Sequence, residues 1–467
     1  MGYPAVGRLR ERMLVRLSVK LLAALVSLAV LAAGCASDDD PPASKPSPTQ
    51  TGPALITLAV YGPKPVQDAY AEIAAGYMLK HPNTKVEIRQ YADHAAAMAA
   101  YRESSAGGDA PDVFLMDHDD LDGLSESGSV RRVDDLLAAR EVDFGDGYTR
   151  NGLEAFSVDA ALQCMPQDVS PLVVYFNPRL IELDRIADPG ARPVTQQDGW
   201  SLEEFALAAQ QPRSRGVRGF YIAPDLEQIA PFVWSGGGEV VDDTEEPTTL
   251  TLSEGRSADA MEELLEPVRN PALTFSQAAL RRKSALERFK AGKLGMILGY
   301  RSLTPELRAV PGLIFDVMPL PKLGRGATIA TMSGLCISAK SKETERAADL
   351  LTEIISDKGA STLAETGYVM PANIDVVNND VFLQPGERPL HADVFAREVR
   401  DTRLLPSTPR WPLVKATAGR QLTQLFYQPV ILPLQKRLEA IDKTSIPMFD
   451  PSKAATPSAS PSTTPSD

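Results

Sequence analysis

The stretch that decides the fold runs from Leu55 to Arg89, LITLAVYGPKPVQDAYAEIAAGYMLKHPNTKVEIR, and is completed by Asp112–Met116, DVFLM. Leu55–Tyr61 is rich in apolar residues and predicts a strand. The following segment repeats large apolar side chains at helical spacing, at Val66, Tyr70, Ile73 and Tyr77. Lys85–Arg89 and Asp112–Met116 predict the next two strands. This strand–helix–strand order indicates a parallel sheet covered by helices.

A second series of strands and helices follows and indicates a second α/β unit. Its predicted strands are Leu172–Phe176, Phe220–Ile222, Leu294–Leu298 and Ile314–Val317. Its predicted helices begin at Ser201, where Glu204 completes a capping box, and cover Ala279–Phe289. Further along, the pattern predicts a strand at Leu335–Ser338, an amphipathic helix at Glu343–Ile355, and helical structure from Asp393 interrupted at Pro406, Pro409 and Pro412.

The N-terminal residues are typical of an export signal. Five basic residues precede the apolar run Leu21–Ala33, namely Arg8, Arg10, Arg12, Arg16 and Lys20. The run is too short to cross comfortably a hydrocarbon layer of about 30 Å, and it ends in Gly34 and Cys35. Residues 1–34 are therefore expected to be a cleaved signal peptide, with a lipid attached to Cys35, although Ala32 stands where leucine is usual. Met1 and Met13 are both possible start sites.

Charge and composition exclude some partners. The chain carries a net charge of -13, and removal of residues 1–34 takes away five positive charges and one negative charge, leaving -17. Such acidity argues against binding to nucleic acid and to an anionic lipid surface. Residues 35–53 and 450–467 are rich in Ser, Thr, Pro and Ala, and we expect a disordered tether and a disordered tail.

Neither a metal site nor a catalytic motif stands out. The four histidines show no metal-binding spacing, and the acidic run after Met116 has His118 and Ser129 where a calcium loop needs Asp and Glu. There is no G-x-S-x-G, H-E-x-x-H or phosphate-binding loop, and Gly324-Arg-Gly326 lacks a third glycine. We therefore predict that the chain is not an enzyme and uses no metal or cofactor. Cys164 and Cys336 form either a disulfide or two separate buried thiols.

The order of segments resembles the extracellular solute-binding proteins of ABC importers, the group typified by maltose-binding protein, from Ile56 to about Thr444. The segments that carry this resemblance are PNTKV (82–86), APDVF (110–114), MP (165–166), LVVYFN (172–177), WSLEEF (200–205), FVWSGG (232–237), FKAGKLGM (289–296), SG (333–334) and GYVMPA (367–372). The resemblance implies two doubly wound α/β lobes joined by a hinge, with a ligand cleft between them. It also implies a receptor that catalyses no reaction.

The resemblance further implies how the chain divides between the lobes. Lobe 1 would comprise residues 54–165 and 335–395, and lobe 2 would comprise residues 166–334 and the C-terminal helices of residues 396–449. The two crossings would be Cys164–Ser170 and Met332–Ile337, which run side by side in the family. That places Cys164 near Cys336 and favours a disulfide, provided that their Cα atoms lie about 5.5 Å apart.

Ligands of open α/β sheets bind beyond the carboxyl ends of the strands, so candidate ligand residues lie at strand ends and in the loops that follow. They are Tyr61, Asp117, Asp119, Trp234, Gly236, Tyr300, Arg301, Ser333, Gly334, Arg410 and Trp411. For each aromatic residue, packing in the core is the competing interpretation, and for the acidic run it is a solvated loop.

A carbohydrate is the leading ligand class, because aromatic rings pack against its CH faces while a few polar groups bind its hydroxyls. Arg301 and Arg410 leave open a phosphate- or carboxylate-bearing ligand, such as a glycerophosphodiester or an amino-acid derivative, and a polyol is a further alternative. The expected protein is a monomer, anchored outside the cell membrane, that delivers its ligand to a permease. A tethered sensor or scaffold without transport is the remaining alternative.

Overall fold

A computed structural model describes residues 52–186, 192–429 and 432–453. The predicted signal peptide, the lipidation site Cys35 and nearly all of the two predicted tails lie outside these ranges. The described residues from Pro53 onward belong to one unit. Within these ranges no helix is both long enough and apolar enough to cross a membrane.

The strands alternate with helices along most of the chain. In chain order the strands are β1 (Ala54–Tyr61), β2 (Thr84–Tyr91), β3 (Val113–Asp117), β4 (Val130–Arg131), β5 (Ser157–Val158), β6 (Ala161–Leu162), β7 (Cys164–Pro171), β8 (Val173–Phe176), β9 (Arg218–Tyr221), β10 (Leu294–Gly299), β11 (Asp316–Met318), β12 (Thr328–Ser338) and β13 (Thr402–Arg403).

The helices are α1 (Lys64–Lys80), α2 (His94–Gly107), α3 (Leu121–Glu126), α4 (Asp134–Ala138), α5 (Arg150–Ala155), α6 (Leu202–Ala209), α7 (Leu226–Ser235), α8 (Gly255–Val268), α9 (Gln277–Arg282), α10 (Ala285–Lys290), α11 (Thr304–Arg308), α12 (Thr344–Ile355), α13 (Asp357–Glu365), α14 (Ile374–Val377), α15 (Asp380–Leu383), α16 (Asp393–Glu398), α17 (Trp411–Tyr427) and α18 (Leu434–Phe449). Short 3-10 turns are found at His118–Asp120, Leu183–Arg185, Arg301–Leu303, Val399–Asp401 and Pro451–Lys453.

The first sheet has the strand order β13-β12-β3-β1-β2, with β4 and β7 also paired to β12. β1 is parallel to both β2 and β3, as the opening sequence predicts. Beyond this unit the sheet is mixed, because β12 is antiparallel to β3 and to β7. β12 therefore runs against the β1–β3 unit, whereas β7, which is antiparallel to β12, runs in the same direction as that unit.

The second sheet has the order β11-β8-β10-β9. Its helix α6 begins after Ser201, and the predicted capping box with Glu204 is formed. The predicted single helix Ala279–Phe289 is wrong, because α9 and α10 are separate. Lys283 is extended there, and Ser284 caps α10 in a second capping box with Glu287.

Two hydrophobic cores hold these layers together. One joins the first sheet to α1 and α12 and continues over one face of the second sheet. The other covers the opposite face of the second sheet with α6, α7, α8, α17 and α18. The predicted apolar side of α12 is confirmed, since its five residues, Ala347, Leu350, Leu351, Ile354 and Ile355, are at most 3% exposed.

The C-terminal region differs from the prediction in one respect. Pro412 does not interrupt a helix but lies in the first turn of α17, where the missing N–H has no helical partner to lose. Pro406 and Pro409 lie in the segment between β13 and α17. That segment connects β13 to the start of α17, which lines the site described below.

Two neighbouring strands connect the sheets. β7 ends at Pro171, and β8 of the second sheet begins two residues later. β7 pairs with β12 along its length, with an irregularity between Ser333 and Gly334. Cys164 and Cys336 are directly opposed in this pair, with Cα atoms 4.3 Å apart, and a disulfide joins them. The predicted limits of the two lobes stay a prediction.

Candidate functional site

A cavity of about 420 Å³ lies where strand ends from the two sheets face each other, and we call it the cleft cavity. The first-sheet side contributes His94 and residues 117–120, and the second-sheet side contributes Glu227, Tyr300 and the start of α17. Residues 329–332 of β12, with Leu404 and Leu405, line it between these two sides. Asp117 is the last residue of β3 and Tyr300 follows β10, as expected for an open α/β sheet.

Asp117 is held by two neighbours. Tyr61 Oη donates a hydrogen bond to Asp117 Oδ1 at 2.5 Å, and His94 Nδ1 lies 3.8 Å from Asp117 Oδ2. Burial raises the pKa of Asp117, and the Tyr61 hydrogen bond opposes that shift. Burial also raises the pKa of Tyr61, helped by the negative charge of Asp117, so Tyr61 remains a donor at neutral pH. The side chain of Asp117 is still 42% exposed and can accept further hydrogen bonds.

The surroundings of the two histidines of the cavity shift their pKa values in opposite directions. The hydrogen bond between His94 Nε2 and Asp120 Oδ2 raises the pKa of His94 against the opposing effect of burial. Burial lowers the pKa of His118, which keeps that ring neutral near pH 7. The ring of His118 packs edge-on against Phe156, with centroids 5.9 Å apart.

Lys415 connects the two sides of the cavity. Its Nζ lies 2.9 Å from Asp119 Oδ2 and 2.9 Å from Glu227 Oε1. Burial acts to lower the pKa of Lys415, but the charges of Asp119 and Glu227 raise it overall, so the ammonium stays protonated. With Asp117 and Asp120, the cavity therefore presents four carboxylates around one permanent cation. Asp119 and Glu227 remain 50% and 42% exposed, which leaves oxygen atoms available to a ligand.

Two aromatic side chains complete the lining. Trp411 is only 2% exposed and packs near Phe449, so it borders the cavity while its ring is anchored in the core. Tyr300 is partly buried, and burial raises its pKa, which keeps the phenol neutral. Four of the predicted ligand residues, Asp117, Asp119, Tyr300 and Trp411, thus line one cavity.

Seven predicted ligand residues do not line it. Tyr61 lies behind the lining, where it contacts Asp117 through a hydrogen bond and His94 through an edge-on ring contact with centroids 5.6 Å apart. Trp234 is 2% exposed within α7, with the guanidinium of Arg403 lying 4.8 Å from its ring centre. Gly236 ends α7, where a Cβ atom would lie 2.7 Å from the Cβ of Ala260. Packing therefore explains Trp234 and Gly236.

The two predicted arginines are engaged elsewhere. Arg301 is fully buried, 4.6 Å from the ring centre of Phe382, and its Nη2 donates to the Phe382 carbonyl at 3.1 Å. Burial lowers the pKa of Arg301 to about 10. Arg410 Nε donates to the carbonyl of Met448 at 2.5 Å.

Ser333 and Gly334 lie at the irregularity of β12. Ser333 is opposite Asp117 on one side and Asp168 on the other. A Cβ atom at position 334 would lie 2.8 Å from the Phe156 ring, so Gly334 permits close packing at the crossing.

Four ionisable lining side chains escaped the sequence prediction, namely His94, Asp120, Glu227 and Lys415, whereas His118 lies between the predicted Asp117 and Asp119 at the end of β3. The strand-end argument would have found some of them, since His94 begins α2 after β2 and Glu227 lies in the first turn of α7 after β9. Lys415 is one helical turn after Trp411, the spacing that places two side chains on one helix face.

Among the described residues, no cluster of three or more His, Cys, Asp or Glu is arranged to hold a metal ion.

Two sheets joined by paired strands, with a polar cavity between their strand ends, define a receptor for a small solute. The chain belongs to the bacterial extracellular solute-binding proteins, whose family model matches residues 72–389, more than half of the chain. Membership of that family implies an extracytoplasmic location and confirms the resemblance seen in the sequence.

Solved structures share the fold. They include an ABC substrate-binding protein from Listeria monocytogenes in complex with cycloalternan (TM-score 0.69, 18% identity, covering 84% of this chain and 98% of that chain). The GacH receptor of Streptomyces glaucescens, solved unliganded and with acarbose, has a TM-score of 0.68 and 17% identity, covering 85% of this chain and 98% of its own. The maltose-binding protein MalE from Listeria monocytogenes, in complex with maltose, has a TM-score of 0.68 and 17% identity, covering 86% and 99%. A search of the curated proteins finds no match.

Proposed function

We propose that this chain captures a carbohydrate in the cleft cavity, delivers it to an ABC permease, and catalyses no reaction on it. The observation that carries the proposal is the cavity itself, where strand ends of two sheets gather four carboxylates, one lysine ammonium and two aromatic side chains. Carboxylate oxygens accept hydrogen bonds from sugar hydroxyls, and aromatic rings pack against sugar CH groups. The cycloalternan, acarbose and maltose bound by the similar structures support this ligand class.

The ligand residues that we propose combine predicted and newly located side chains. Asp117, Asp119, Tyr300 and Trp411 are kept from the sequence prediction. His94, His118, Asp120, Glu227 and Lys415 are added because they line the same cavity. Closure of the two lobes around the ligand is the expected motion for two sheets joined by paired strands.

The environment of the predicted arginines speaks against a phosphate- or carboxylate-bearing ligand. Arg301 is packed between Phe382 and Phe395, and Arg410 is bound to a backbone carbonyl. The cavity that remains is predominantly negative, which repels an anion.

A thermal-shift screen with neutral, acidic and amine-bearing sugars tests the ligand class. A sugar at 100 times its dissociation constant should stabilise the folded protein by about 2.7 kcal/mol. Calorimetry would then measure its affinity for the wild type, for Asp119→Asn and for the control Asp375→Asn, which changes an exposed carboxylate that does not line the cavity. We expect weaker binding only for Asp119→Asn. If no sugar stabilises the protein, the proposed ligand class is wrong.

The anchor and the transport role need separate tests. Mass spectrometry of the N-terminus extracted from membranes should find a lipid on Cys35, and Cys35→Ala should release the protein from the membrane fraction. Cells that lack this chain should fail to take up the sugar found in the screen. Normal uptake in such cells, with binding intact, would favour the sensor or scaffold alternative.

A further inference from the structure

A second cavity of about 500 Å³ adjoins the cleft cavity. The two share Asp119, Asp120 and Pro412 in their linings, so these residues form a common wall between them. The remaining lining comes from α2, from α3 with the turn that follows it, and from residues 407–409 before α17. The second cavity is therefore the immediate neighbour of the cleft cavity and meets it at these three residues.

The lining of the second cavity offers polar groups that have no partner. The Thr408 hydroxyl oxygen is buried and has no hydrogen-bond partner among the described residues. A buried hydroxyl in that state is unfavourable unless a ligand or water bonds to it. The exposed side chain of Arg102 makes no hydrogen bond or ion pair within the described ranges, so its five donors are available.

The other lining groups suit a sugar ring. Ser127 and Ser129 share a hydrogen bond of 2.8 Å between their hydroxyls, and Ser127 Oγ also donates to the Leu124 carbonyl at 3.0 Å, so both hydroxyl oxygens can still accept a hydrogen bond. Leu124 and Pro409 add apolar surface beside these hydroxyls. Hydroxyls and apolar groups in one lining match the hydroxyls and CH faces of a pyranose.

We propose that the second cavity is a subsite for a further ring of an oligosaccharide whose first ring occupies the cleft cavity. This inference rests on the proposed carbohydrate function and extends it, because it makes the ligand a chain of at least two linked rings. Asp119 and Asp120 then lie beside the linkage, where they contact both rings.

Gly123 allows the second cavity to be filled without disturbing the fold. It lies in α3 and lines the second cavity but not the cleft cavity. A Cβ atom added there meets no heavy atom within 4 Å. Gly76 is a matched control, since it is also helical and also has no heavy atom within 4 Å of an added Cβ, but lies in α1 and lines neither cavity.

The test compares Gly123→Met, Gly76→Met and wild type by calorimetry, with glucose, maltose and maltotetraose as probes, followed by any other sugar series that the screen identifies. Gly123→Met should weaken binding of the longest sugar by about tenfold or more, while the single ring binds within about twofold of wild type. Thr408→Val should weaken the longest sugar in the same direction. Gly76→Met should change neither affinity.

The outcomes separate this inference from the proposed function. Equal affinity of wild type for one ring and for longer chains would overturn the subsite while leaving carbohydrate binding intact. Equal loss for all lengths in Gly123→Met, or no loss at all, would also overturn it. If no sugar of any length binds wild type, the proposed function fails first.

Discussion

Lys415 Nζ lies 2.9 Å from Oδ2 of Asp119, and this ion pair spans the cleft. Asp119 follows β3 of the first sheet, whereas Lys415 belongs to α17, which packs in the core of the second sheet. The same ammonium also bonds Glu227 of α7 at 2.9 Å. One cation therefore compensates two carboxylates that would otherwise face each other across the cavity.

Replacing Lys415 should affect ligand binding more than stability. Lys415→Met leaves Asp119 and Glu227 without their shared cation, so the two sides of the cleft repel. Because all three side chains are partly exposed, we expect a loss of at most about 1 kcal/mol in the free energy of unfolding. Sugar affinity should fall about tenfold or more, as measured by calorimetry. Lys64→Met, which breaks an exposed ion pair with Asp68, is the control, and equal effects of the two variants on binding would contradict the assignment.

The disulfide should contribute strongly to stability. Cys164 and Cys336 are fully buried and 172 residues apart in sequence. Removing a native disulfide usually costs about 2–5 kcal/mol, and we expect such a loss in urea unfolding of the double variant Cys164→Ala/Cys336→Ala. Thiol labelling of the oxidised, unfolded protein should detect neither cysteine. Two labelled thiols under those conditions would show that the bond does not form.

Asp168 should make stability depend on pH. Burial raises its pKa to about 7, against the hydrogen bond that its Oδ1 accepts from Met370 N at 2.8 Å. Between pH values of roughly 4 and 7 the folded protein therefore holds a proton that the unfolded chain has released, and this carboxyl makes stability fall as pH rises. Asp168→Asn keeps an acceptor oxygen and removes the charge.

We expect Asp168→Asn to be more stable than wild type at pH 8 by about 1–3 kcal/mol, after allowance for partial solvent screening, and to show no such gain at pH 4. Urea unfolding of both proteins at the two pH values measures the difference directly. The same gain at both values would mean that the effect of the substitution is packing and not titration.

Arg301 should prove to be a packing residue. Its Nε and Nη1 have no hydrogen-bond partner within the described part of the chain, and its guanidinium lies against Phe382 and Phe395. Arg301→Met keeps the volume and removes an incompletely paired buried charge, a change that is often neutral or stabilising. Sugar affinity should stay within about twofold of wild type. A large loss of affinity, with the melting temperature unchanged, would contradict this assignment and show that Arg301 takes part in ligand binding.

Local signals explain how much of the fold the sequence predicted. The period of apolar residues in α1 and α12 and the capping box at Ser201 act within a few residues, so they are visible before folding. The break between α9 and α10 could also have been predicted from the sequence, because Ser284 and Glu287 have the spacing of a capping box. The antiparallel direction of β12 could not have been predicted in this way, since strand direction in a sheet depends on which distant strands pair.

The site divides in the same way. Strand-end position brought out Asp117, Asp119 and Tyr300, because the ends of sheet strands are where this class of fold leaves space, whereas Trp411 came from the proline-interrupted C-terminal segment. Only the tertiary structure brought Lys415 to Asp119, across 296 residues of sequence, and turned Arg301 away from the cavity onto two phenylalanine rings. The sequence determined the elements through short-range periodicity and capping, whereas long-range packing decided which side chains share the cleft, because contact between distant segments depends on how the sheets and helices assemble.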